Sequence, residues 1–141
     1  MKAFVDTFSD HVAALEFDDA AEQFDDSVVS FSSFRDLVVG KQQFVNEQWR
    51  HVWPSMTDFH FETAAMRVHT SPDRLMAVAM VTWASTGYHQ DGTAFDRPGR
   101  CTIALARDAV AEPWRGIDGH FSLMRGVPQQ SFGPGGELRT A

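Results

Sequence analysis

The chain has 141 residues, 43% of them hydrophobic and 22% charged, which suits one globular domain and excludes wholesale disorder. Nineteen acidic against twelve basic side chains give a net charge of −7, and no window clusters Lys or Arg, so nucleic acid is not an expected partner. Cys101 is the only cysteine, which excludes an internal disulfide and a cysteine-based zinc site.

The opening residues, MKAFVDTFSD, lack the apolar run of a signal peptide. The longest apolar stretch, residues 75–84, is too short to span a bilayer. A cytoplasmic protein with no membrane partner is therefore expected. Phe4, Phe8, Val12 and Leu15 recur at helical spacing and predict a first helix. Phe17, Ala20, Ala21 and Phe24 suggest a second, with Asp18 and Asp19 in its first turn, where the helix dipole favours negative charge. Residues 27–33 (SVVSFSS) read as a short strand. Gly40 introduces the clearest helix, residues 41–53, with Val45, Trp49 and Trp53 on one stripe and Pro54 as its stop.

Beyond Pro54 the pattern turns to long strands. They are predicted at residues 57–70, 74–89, 95–107 and 114–124, separated by SPD at 71–73, Asp91-Gly92 and a loop containing Pro113. Short connections predict an antiparallel meander, and helices followed by strands predict an α+β fold. Residues 126–141, rich in Gly and Pro, read as an irregular tail behind a domain of residues 1–125.

On the last strand, alternation puts Trp114, Asp118, His120 and Ser122 on one face, with Gly116 between them. Such a polar set is either a pocket wall or a solvated outer face. A Ser-His-Asp triad is excluded by geometry: residues i and i+2 of a strand lie roughly 6.5–7 Å apart, whereas a nucleophile and its base need about 2.6–3.2 Å. On the preceding strand, Arg100, Thr102, Ala104 and Ala106 share a face opposite Cys101, Ile103 and Leu105. Arg100 could bind an anionic group, or pair structurally with Asp118. Tyr88 is a candidate donor to a ligand oxygen, and Trp49 a core residue that could also line a cavity. The six His residues show no H-x-H or H-E-x-x-H spacing, so no metal site and no cofactor are expected.

The order of elements, with Arg100-x-Thr102 on the third long strand and Trp114 followed by His120-x-Ser122 on the last, resembles the SnoaL-like branch of the NTF2-like superfamily over about residues 3–125. The resemblance implies a cone of about three N-terminal helices packed on a curved antiparallel sheet, a cavity between them, and a homodimer formed through the sheet's outer face. It also implies an inward-facing Asp118, His120 and Ser122. The isomerases of this superfamily carry a general-base Asp on the short strand, where this chain reads SVVSFSS.

The expected function is binding of a small, largely apolar organic molecule bearing a carbonyl or hydroxyl group, with isomerase, cyclase or hydrolase chemistry as its catalytic form. Asp118 or His120 would then move a proton, and Arg100 or Tyr88 would stabilise charge on oxygen, with Ser122, Thr102 and Trp49 contacting substrate. The alternative is a non-catalytic dimerisation or ligand-sensing module.

Overall fold

Phe4, Val5, Phe8 and Val12 form the buried stripe of α1 (Lys2–Ala14) in the computed structural model, which describes residues 1–140. Leu15 ends α1 in a left-handed conformation, φ 58°, with its own side chain buried. A short α2 (Phe17–Ala21) follows. Phe24 was expected in this helix, but it opens β1 (Phe24–Phe31), where its ring is buried.

The helix predicted after Gly40 is one continuous right-handed segment with a widened middle. It is α-helical over Lys41–Gln43, π-helical over Phe44–Trp49 and α-helical again over Arg50–Val52; we call residues 41–52 α3. Pro54 lies in a closing 3₁₀ turn, Trp53–Ser55. The π turn buries Phe44, Val45, Gln48 and Trp49 together on the side facing the sheet.

The remaining strands are β2 (Leu37–Val39), β3 (Thr57–Phe61), β4 (Arg67–Thr70), β5 (Met76–Tyr88), β6 (Ala94–Asp96), β7 (Gly99–Ala106) and β8 (Arg115–Leu123). Two predicted long strands are each split. A 3₁₀ turn at Thr63–Ala65 divides the first into β3 and β4, which both pair with β5. Arg97-Pro98 divides the third into β6 and β7, also both on β5, since Pro98 offers no N–H to the ladder.

The sheet order is β2-β1-β8-β7-β5-β3. The predicted meander holds from β3 to β8, but β1 pairs with β8 in parallel, so the sheet is mixed and not antiparallel throughout. Nor do three helices precede the sheet, because β1 and β2 come before α3. No described helix is long and apolar enough to cross a membrane.

The core lies between the inner sheet face and α1 and α3, and it is mainly aromatic. Phe8 is at its centre, with ring centroids 5.1–5.9 Å from Phe24, Trp49, Trp53 and Phe61. Strand glycines make room for these rings. A Cβ on Gly99 would stand 2.0 Å from the Trp83 ring, and one on Gly116 would stand 2.4 Å from Phe24. In both places the ring lies where a side chain would otherwise project.

Candidate functional site

The inner face of the sheet does not close completely against the helices. A cavity of about 40 Å³ remains, walled by Phe8, Phe44, Trp49 and Trp53 from the helices and by Phe59, Phe61, Trp83 and Phe121 from the strands. A single ordered water occupies roughly 10–15 Å³ on the same measure, so the space takes a small group of atoms. Its polar lining consists of Ser32, Ser33, Gln48 and Arg97. Gln48 is already engaged: its Oε1 accepts from the amides of Phe34 (3.2 Å) and Arg35 (2.8 Å), and its Nε2 donates to Ser33 Oγ at 3.3 Å.

Arg97 stands between this cavity and a wider, more polar opening of about 640 Å³, since Arg97, Ser33 and Val52 line both. The outer walls of that opening include Asp36, His51, Gln129 and Phe132. Residues 126–140 contain only a short 3₁₀ turn, Pro134–Gly136, yet they are tied down by hydrogen bonds. Ser131 Oγ donates to Ser55 O (2.5 Å) and accepts from Tyr88 N (2.9 Å), while Arg139 reaches Trp53 O (3.1 Å) and Ala13 O (3.3 Å). The irregular tail is thus a wall of the opening.

Local sequence explains where Arg97 points. It follows the inward alternation of β7, whose Gly99, Cys101, Ile103 and Leu105 are all buried. Its backbone is held by Ser85, whose carbonyl accepts the Arg97 amide at 2.9 Å and whose hydroxyl donates to the Arg97 carbonyl at 2.7 Å. Gly87 leaves space for the side chain, because a Cβ there would lie 3.0 Å from Arg97 Cδ.

The guanidinium is 2% exposed, and among the described residues no carboxylate pairs with it. Nη1 reaches the Met56 sulfur at 3.6 Å, a weak acceptor, and Nε has no acceptor. Burial pulls its pKa well below the ordinary guanidinium value, down to about 10. A shift of that size corresponds to a cost on the order of 3 kcal/mol at neutral pH. Trp83 Nε1, on another lining residue, is a second buried donor without an acceptor.

The predicted site residues are placed otherwise. Asp118, His120, Arg100 and Thr102 are exposed and Ser122 is half-buried, all on the outer face of the sheet, where a shallow depression gathers Arg100, Thr102, His120 and Ser122. Asp118, His120 and Ser122 pair with Ala104, Thr102 and Arg100, which alternate with the buried Cys101, Ile103 and Leu105, and a bulge in β8 (Leu105 on Gly116, Ala104 on Asp118) makes Ile117 an extra residue. Gly116 therefore faces inward under Phe24, while Asp118 and the residues in register after it face outward. The inward orientation expected for Asp118, His120 and Ser122 does not occur.

Nor does the expected Arg100–Asp118 pair form. Arg100 Nε donates instead to Ser122 Oγ at 3.0 Å. The Tyr88 hydroxyl is 2.8 Å from Thr57 Oγ1 and does not line the cavity. Of the predicted residues, only Trp49 lines it. Sequence reasoning missed Arg97, although its parity with Cys101, Ile103 and Leu105 marked it as a charge on a core-facing position.

No family model matches the chain, and neither does any curated protein. Solved structures do. A ketosteroid isomerase-like protein from Erwinia carotovora has a TM-score of 0.69 at 14% identity, over 90% of this chain and 92% of its own. An NTF2-like protein of unknown function from Pseudomonas putida has a TM-score of 0.68 at 20% identity, over 92% and 88%. A putative calcium/calmodulin-dependent protein kinase II association domain from Xanthomonas campestris has a TM-score of 0.68 at 19% identity, over 86% and 84%. The chain has the NTF2-like fold.

Proposed function

We propose that this chain is a binding module for a small organic molecule held in the aromatic cavity, and that it is not an acid–base catalyst. One observation carries this reading: the cavity lining contains no carboxylate and no imidazole, the groups that general acid–base chemistry at neutral pH uses most. Asp118 and His120, which could do that work, lie on the opposite face of the sheet. The cavity's apolar lining with a few fixed polar groups has the chemistry of a small-molecule site, on the scale of a few atoms, and it adjoins the wider opening at Arg97.

The test is a titration with a neutral apolar probe, benzyl alcohol, followed by NMR. The expected result is displacement of the Trp49, Trp53 and Trp83 indole resonances with His120 unaffected. Shifts confined to the outer face, or none at saturation, would remove the cavity from consideration.

The outer face supports a second element of the proposal, self-association. Leu37 (47% exposed), Phe31 (56%), His120, Thr102 and Met80 (41%) run across β2, β1, β8, β7 and β5 in one row. Arg100 and Asp118, neither paired with an opposite charge among the described residues, lie on either side of the Thr102–His120 pair along the strands. A two-fold axis in the interface through that pair brings Arg100 of one copy over Asp118 of the other, twice. An isologous interface has this self-complementarity, and the association-domain neighbours are consistent with it. Phe31→Glu is expected to convert a dimer to a monomer in sedimentation at micromolar concentration without lowering Tm by more than a few degrees. A wild-type monomer at that concentration would contradict this.

A further inference from the structure

We infer that the ligand of the aromatic cavity is an apolar monocarboxylate, its carboxylate held by Arg97 and its apolar body packed among the rings. This rests on the binding reading above and names the chemical class it takes.

Both unmet polar groups at the cavity are donors. Among the described residues, the buried Arg97 Nε and Trp83 Nε1 have no acceptor, and the only side-chain partner of the guanidinium is a thioether. What is absent is therefore an acceptor, and for a cation in an apolar setting the fitting acceptor is an anion. The guanidinium is also held in place from behind. Ser85 fixes its backbone on both sides, and Gly87 supplies the clearance its side chain needs. Its fork-shaped set of N–H donors matches a carboxylate in two parallel bonds.

The rest of the lining restricts the anion to one charge and an apolar body. Arg97 is the only cation among the lining residues, and the other polar side chain of size, Gln48, is consumed by Phe34, Arg35 and Ser33. A phosphate dianion would leave charge unmatched. Asp36 and His51 line the wider opening, and neither is paired with Arg97. A ligand enters through that opening, passes its apolar end between the rings and stops with its carboxylate at Arg97. A short chain fits within the cavity of about 40 Å³, and a single ring reaches from it into the adjoining opening that Arg97, Ser33 and Val52 also line.

The experiment is a matched titration of the full chain with benzoate, benzamide and phenyl phosphate, read by calorimetry and by fluorescence of the cavity tryptophans. Benzoate is expected to bind at least about tenfold more tightly than its neutral isostere, the range that one charged hydrogen-bonded pair supplies. In Arg97→Met the preference should vanish while benzamide affinity is retained. Arg97→Lys, which keeps the charge but not the fork, should give an intermediate preference, and it serves as the test if the Met variant does not fold.

Equal affinities for benzoate and benzamide in the wild type would overturn the carboxylate assignment and leave the binding reading standing. Phenyl phosphate binding as tightly as benzoate would also overturn the assignment. No binding by any of the three would overturn both readings.

Discussion

Phe8→Ala is expected to destabilise the protein by about 3–5 kcal/mol, the range for removing a buried aromatic ring. The ring is 2% exposed and touches aromatic partners from α1's own surroundings on every side: Phe24 from β1, Trp49 and Trp53 from the α3 region, and Phe61 from β3. Its loss opens a void next to an existing cavity, and stiff neighbouring rings collapse into such a void poorly. Urea denaturation followed by circular dichroism measures the loss, and a change below about 1.5 kcal/mol would mean that the aromatic cluster repacks freely. The enlarged cavity should at the same time admit bulkier neutral probes.

Arg97→Met should have the opposite sign, a gain of about 1–3 kcal/mol at pH 7. The guanidinium is buried without a counter-charge among the described residues, and desolvation lowers its pKa from the ordinary guanidinium value to about 10. At pH 7 folded and unfolded forms both hold the proton, so the full penalty weakens the fold. Above about pH 10 and below the ordinary guanidinium pKa, the unfolded form keeps a proton that the folded form has released. Raising pH through that window therefore relieves the penalty, and the advantage of the Met variant should shrink across it. Few other groups complicate the measurement, because Lys2, Lys41 and Tyr88 are the only lysines and tyrosine. A Met variant less stable than wild type at pH 7 would show that the guanidinium has a structural role that its contacts do not reveal.

Much of the fold is legible in local sequence because local interactions make it. The stripes of α1 and α3, the stop at Pro54 and the turn signals between long strands all follow from spacing within a few residues. What was not legible is non-local. The parallel pairing of β1 with β8 joins segments about ninety residues apart, and no pattern in either strand announces its direction. Phe24, at helical spacing from Phe17 and Ala20, is instead captured by the sheet through burial beneath α1 and α3.

The inward orientation of Asp118, His120 and Ser122 was expected from the family resemblance, whereas the β7–β8 pairing puts them on the outer face with Arg100, Thr102 and Ala104. Alternation by two is valid only along an unbroken strand, and the extra Ile117 breaks it between Gly116 and Asp118. The same rule, applied backwards from Cys101, would have reached Arg97, since the Pro98 interruption leaves its parity intact. The most informative residue was the charge out of place on an apolar face.

The π turn of α3 sets how the aromatic cavity can be altered. A π turn is one residue longer than the α turn it replaces, and the helix on either side keeps its original rotational phase. Deleting one residue within 44–49 would therefore leave Lys41 and Val52 facing their present neighbours while drawing Phe44 and Trp49 closer together. The volume beneath the helix is thus adjustable by a length change of one residue, an editing route open to evolution or design that no point substitution reproduces.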